Sequence, residues 1–175
     1  ERENSLGNVL VRNMLEAGFK GKLFAVNPKY DQVFGVPCYK SVEDIPQRLD
    51  LVVITTKADR VPAIVDACGR AGTKAAVVIP SGFADAGPRG KMLEKNTVEN
   101  ARRHRIRLLG PNCLGVLRPE LGLNASFARG GAIKGSIGLI SQSGALCSAI
   151  LDWARPNNVG FSSVISLGTS VDVDF

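Results

Sequence analysis

Six short strings in the 175-residue chain carry the residue types that ligand chemistry uses. Ser5, Leu6 and Gly7 stand directly before a helical pattern. Backbone N–H groups at a helix N-terminus form an anion site, and in a dinucleotide-binding unit that place holds a pyrophosphate. The glycine fingerprint of such units is mostly missing here, and a plain N-cap at Ser5 is the alternative. The string Val26-Asn27-Pro28-Lys29-Tyr30 closes an apolar run. NAD-binding units usually place an Asp or Glu at this point to hold the ribose hydroxyls. Lys29 stands there instead, and a cation suits a phosphorylated ribose, as in NADP or coenzyme A; the alternative is a solvated turn lysine.

Thr55-Thr56-Lys57 offers hydroxyls and a charge, and Pro80-Ser81-Gly82-Phe83 offers a tight turn that a ligand backbone can approach closely. Gly110-Pro111-Asn112-Cys113-Leu114-Gly115 reads as a shaped turn. Cys113 has no histidine nearby in sequence to lower its pKa, so it is not read as a nucleophile. Ser141-Gln142-Ser143-Gly144-Ala145 places hydroxyls at a helix start. It does not match the G-x-S-x-G elbow; Ser143 and Gly144 read as a helix N-terminus facing phosphate or carboxylate, or as an N-cap.

The elements that must position these strings alternate. Residues 8–18 carry Val11, Met14, Leu15 and Gly18 at helical spacing, and residues 22–27 form an apolar strand. Residues 49–55 (LDLVVIT) and 74–79 (KAAVVI) are continuous apolar runs of the kind buried on both faces. Between them Val61, Ile64, Val65 and Cys68 form a helical stripe; a polar helix over 88–103 and a strand over 106–109 follow. This alternation predicts a Rossmann-like, doubly wound parallel sheet, which binds ligands at the carboxyl ends of its strands. From 117 to 135 the pattern lapses into glycine and small residues, read as a linker. A second unit then begins: a strand over 136–140, a helix whose stripe is Leu146, Ala149, Ile150 and Trp153, and a strand over 161–167. The expected division is a first domain over 1–128 whose first strand lies outside the chain, a linker over 129–135, and the opening of a second domain over 136–175.

Composition excludes several classes. Four scattered cysteines and one histidine give no zinc-site spacing, and reduced thiols fit a cytoplasmic protein. No apolar run approaches the roughly 18–20 residues of a membrane span. The net charge of +6 is densest at Arg102, Arg103, Arg105 and Arg107, near an expected helix end that favours cations. No aromatic residues interleave with that cluster, so nucleic-acid binding is not expected.

The run RLLGPNCLGVLRPELGLNASFA, followed by GSIGLISQSGALCSAILDWA, resembles the NDP-forming acyl-CoA synthetases, of the acetate–CoA ligase (ADP-forming) type. It is similar, more distantly, to the succinyl-CoA synthetase α subunit. It resembles equally the bacterial protein lysine acetyltransferases that fuse such a region to a GNAT domain. The likeness spans nearly the whole chain. It implies a CoA-binding domain followed by the start of a flavodoxin-like domain. It also implies CoA or acyl-CoA contacts at Ser5, Gly7, Lys29, Ser81 and Gly82, with Asn112 and Cys113 bordering the thiol end. In the synthetases, the helix opening at Ser143 and Gly144 points at a phosphorylated histidine. ATP or ADP with Mg and an ATP-grasp domain or subunit belong to the full protein, and a homo-oligomer is possible. His104, the only histidine, does not match the family's phosphohistidine, so these residues alone are expected to be inactive. The expected function is the CoA-binding region of such a ligase; the alternatives are the acyl-CoA-sensing region of an acetyltransferase and an NADP-dependent oxidoreductase.

Overall fold

The computed structural model describes residues 5–175. Helix α1 (Leu6–Glu16) is followed by β1 (Ala25–Val26), β2 (Gln32–Val33) and β3 (Val36–Tyr39). Then come β4 (Leu51–Ile54), α2 (Val61–Arg70), β5 (Ala75–Val78), α3 (Pro88–His104) and β6 (Arg107–Leu109). Strands β4, β5 and β6 lie side by side in parallel, while β1 pairs parallel with β3, whose other edge holds β2.

Alternation along β5 explains the layers. Ala76 and Val78 face one side, where Leu108, Val61, Val65, Cys68 and Ala101 close a core beneath α2 and α3. Val77 and Ile79 face the other side, against Leu10 of α1 and Cys113. Side chains on successive strand positions point to opposite faces, so a strand covered by helices on both sides must be apolar throughout. The doubly wound expectation therefore holds, with α1 on one face and α2 and α3 on the other.

The region read as a linker is ordered differently. Residues 115–126 form β7 (Gly115–Arg118) and β8 (Leu123–Ser126), an antiparallel pair joined through a turn at Gly122. They share a sheet with β9 (Lys134–Ser141) and β10 (Phe161–Ser166), in the order β8-β7-β10-β9. The small residues that suggested a linker are buried strand: Asn124, Ala125 and Ser126 let α1 approach closely, and the Asn13 amide nitrogen donates to Ser126 O and Ala128 O.

Helix α4 (Gly144–Ala154) turns inward a face that shares only Ile150 with the expected one. Cys147, Leu151 and Ala154 are buried against Leu114, Leu117 and Val164, whereas Leu146 and Trp153 are 51% and 59% exposed. The sequence GALCSAILDWA is apolar around most of its circumference, so periodicity does not select a side. No helix among the described residues is long and apolar enough to cross a membrane.

Candidate functional site

The exit of each parallel strand is fixed by local chemistry. Ser5 caps α1: its hydroxyl accepts from Asn8 N at 3.4 Å, and no acidic residue occupies the first turn. Among the described residues the helix thus presents its positive end without an acidic side chain in its first turn. It abuts the β4 exit, because a Cβ placed on Gly7 would lie 3.6 Å from Thr55 Oγ1. The β5 exit leans on the same loop, with a Cβ on Gly82 falling 3.4 Å from Ala58 Cβ. The β6 exit is tied to the β5 exit by Asn112 N donating to Pro80 O at 3.1 Å.

The second sheet reaches this edge through the same turn. Thr169 N donates to Pro111 O at 2.9 Å, and Gly168 is so close that a Cβ there would stand 2.2 Å from Pro111 O. Only glycine fits at that φ of 61° and that spacing. Leu114 N donates to the buried Ser166 Oγ at 3.0 Å, and Gly144 packs on Leu114. Ser143 caps α4 by accepting from Leu146 N at 3.1 Å, and Gln142 Nε2 donates to Ser170 Oγ at 3.4 Å. Ser5 and Gly7, the 55–57 loop, Ser81 and Gly82, Asn112, and Ser143 and Gly144 thus follow one another along one edge.

Lys29 lies at the corresponding end of β1. Asn27 Oδ1 accepts from Lys29 N at 3.0 Å, which fixes the turn, while the Lys29 side chain is exposed and makes no ion pair among the described residues. An uncommitted cation and no carboxylate occupy the place where NAD-binding units hold an acid.

Two side chains are engaged away from this edge. Cys113 does not offer its sulfur to this edge: the thiol is buried, donates to Val78 O at 3.4 Å, and burial pushes its pKa to about 12. The turn presents Asn112, at a left-handed φ of 57°, instead. His104 stands beside a carboxylate as well as beside the arginines that flank it in sequence. Its Nε2 lies 2.7 Å from Asp66 Oδ1, its ring packs on Gly69, and Arg103 and Arg70 also reach Asp66. The hydrogen bond from His104, more than the guanidinium charges, holds the Asp66 carboxyl below its ordinary range. This cluster sits where α2 meets the C-terminal end of α3, away from the strand exits.

The 168–170 turn was not singled out in the sequence, although Leu167-Gly168-Thr169 repeats the strand–glycine–hydroxyl signal of the other exits. Among the described residues no group of three or more His, Cys, Asp or Glu side chains is placed to hold a metal.

Residues 1–119 match the family described as a CoA binding domain, and residues 134–175 match the succinyl-CoA ligase like flavodoxin domain. The chain belongs to the CoA-binding domain family. It is 45% identical over 173 residues to acetate–CoA ligase (ADP-forming) I of Archaeoglobus fulgidus, covering 99% of this chain and 25% of that protein. It is 38% identical to the α subunit of acetate–CoA ligase (ADP-forming) I of Pyrococcus furiosus, covering 99% of this chain and 38% of the subunit. The dinucleotide-forming acetyl-coenzyme A synthetase 1 of Candidatus Korarchaeum cryptofilum, solved with phosphate and ADP, superposes with a TM-score of 0.95 at 40% identity. That superposition covers 99% of this chain and 37% of the synthetase. The chain thus spans between a quarter and two fifths of these relatives' length.

Proposed function

We propose that this chain is the CoA-binding region of an ADP-forming acyl-CoA ligase and that it seats CoA across the carboxyl ends of its strands. On this reading the pyrophosphate lies at the α1 N-terminus by Ser5 and Gly7. Lys29 faces the phosphate on the ribose, and the pantetheine arm passes Ser81 and Gly82 toward Asn112. The observation that carries the reading is the edge itself: a helix N-terminus with no acid in its first turn converges with three strand exits, and among the described residues β1 ends in a free cation rather than an acid.

The ligase consumes an acid, ATP and CoA and gives the thioester, ADP and phosphate. The sulfur of CoA attacks the activated acyl carbon; the C–S bond forms, the bond to the leaving group breaks, and the thiol proton is lost. These residues position the thiol and exclude competing poses. The Ser143 and Gly144 helix N-terminus, beside the same turn, suits the phosphorylated group. ATP-grasp machinery holding ATP or ADP with Mg is the partner this reading requires. The 175 residues alone bind CoA without turnover, because His104 is engaged with Asp66 away from the strand exits. The acetyltransferase alternative draws no support from the relatives named above.

Calorimetric titration of the protein with CoA, NAD and NADP tests the reading. CoA is expected to bind most tightly, and tighter binding of NAD or NADP would overturn it.

A further inference from the structure

We propose that Lys57, at the exit of β4, holds the pyrophosphate of CoA, so that two separate lysines read the ligand's two anionic groups. The assignment rests on the CoA reading above, in which Lys29 faces the ribose phosphate. It adds a residue that fixes the nucleotide independently of that phosphate. Lys29 follows β1 of the β1–β3–β2 sheet, and Lys57 lies in the loop that leaves β4 of the β4–β5–β6 sheet. The two cations therefore arise at separate places.

The loop over 55–58 touches the edge at both of its ends. Thr55 Oγ1 lies 3.6 Å from where a Cβ on Gly7 would stand, so the loop begins against the first turn of α1. Ala58 Cβ lies 3.4 Å from where a Cβ on Gly82 would stand, so the loop ends against the β5 exit. Lys57 falls between these contacts, two residues after Thr55 and next to Ala58. Two residues span at most about 7 Å of chain, and a flexible lysine stem covers roughly 6 Å more. The ammonium is thus within reach of the α1 N-terminus. The backbone beneath it is fixed: Lys57 is extended at φ −63° and ψ 149° and precedes a short 3₁₀ turn (Ala58–Arg60). Its carbonyl accepts from Arg60 N at 3.0 Å and from Thr56 Oγ1 at 3.5 Å. The side chain itself is exposed and makes no ion pair among the described residues.

Charge singles this residue out. A pyrophosphate diester is doubly negative, and a helix N-terminus offsets it with only about half an elementary charge. The first turn of α1 and the strings at 80–83, 110–114, 141–144 and 168–170 contain no Lys or Arg. Lys57 is therefore the one cation in the strings that converge on the α1 N-terminus from β4, β5, β6 and the second sheet. The nearby carboxylates leave it available. Asp85 Oδ1 accepts from Phe83 N at 3.0 Å, while Asp59 and Arg60 share the next turn and cancel in net charge. A compact ammonium on a flexible stem suits a phosphate group as a point charge, without the planar fork of an arginine.

The test titrates the parent protein, Lys57→Gln, Lys57→Arg and Lys29→Gln with CoA and with dephospho-CoA, which keeps the pyrophosphate but lacks the ribose phosphate. Lys57→Gln is expected to weaken both ligands by the same factor, on the order of tenfold. Lys57→Arg keeps the charge and should recover most of that loss. Lys29→Gln should weaken CoA and leave dephospho-CoA unchanged. Dephospho-CoA binding that is unchanged in Lys57→Gln would overturn the assignment, because Lys57 would then read the ribose phosphate or nothing. A loss that Lys57→Arg does not recover would also overturn it, since the shape of the loop and not its charge would be at stake. Failure of the parent to bind CoA would overturn the CoA reading itself, whereas CoA binding that survives intact in Lys57→Gln would overturn this assignment alone.

Discussion

The Asp172 carboxylate accepts the backbone N–H of Leu108 at 2.7 Å, standing where a neighbouring strand would otherwise accept it. The same oxygen accepts from Arg107 Nε at 2.9 Å, and Val171 N and Val173 N donate to Gly110 O and Leu108 O on either side. The segment after β10 thus clips the two sheets together along β6. Asp172→Ala leaves Leu108 N without its acceptor, at a cost of about 1–3 kcal/mol. Asp172→Asn keeps an acceptor oxygen and should cost less. Urea denaturation checks both, and an Ala variant as stable as the parent would show that the clip contributes nothing.

Lys29 is the cation proposed to face the ribose phosphate. Lys29→Ala is expected to weaken CoA binding by about 1–3 kcal/mol, the range for charge-assisted hydrogen bonds. The site is exposed, so the difference should shrink as salt rises. Calorimetry at low and high salt reads both effects. Unchanged affinity would return Lys29 to an ordinary turn lysine.

Asp66 sets an acid limit on stability. Its folded pKa is depressed, chiefly by the His104 hydrogen bond, so its contribution is complete above the ordinary carboxylate pKa and is lost as pH falls through the depressed value. Asp66→Asn should therefore be less stable than the parent at neutral pH, with the gap closing below about pH 4. Denaturation midpoints across pH measure this. A gap that stays constant on acidification would contradict it.

Arg105 ends α3 in the left-handed region, at φ 57° and ψ 39°. Arg105 N donates to Arg102 O and Ile106 N to Ala101 O, the pairing of a Schellman end. A left-handed side chain costs roughly 1–2 kcal/mol, so Arg105→Gly should leave stability unchanged or raise it by up to about 1 kcal/mol. Arg105→Val should lower it. Thermal melts decide, and a destabilised glycine variant would mean that the arginine side chain has a role beyond the cap.

Much of the fold was legible because it rests on patterns read along the chain. The apolar runs at 49–55 and 74–79 announced strands covered on both faces, and the Thr55, Ser81 and Asn112 strings followed from where those strands end. The β7–β8 hairpin was hidden because its burial depends on Asn124, Ala125 and Ser126 being small enough for α1 to approach, a demand set by a partner more than 100 residues away in sequence. The inward face of α4 was ambiguous because Cys147, Leu151 and Ala154 are spaced for a helix as well as Leu146, Ala149, Ile150 and Trp153 are. The partner of His104 lies 38 residues back, on α2, where local charge counting does not reach. Cys113 shows the same limit: its turn was recognisable, but the direction of its sulfur is decided by Val78 O.

Hydrogen–deuterium exchange of the protein with and without saturating CoA tests the central claim most directly. The account predicts slowed exchange at the backbone amides of 6–8, 81–83, 110 and 112–114, where the α1 N-terminus meets the exits of β5 and β6, and a weaker effect or none with NAD at the same concentration. Protection confined to the His104 end of α3, or absent from the strand exits while CoA is bound, would contradict it.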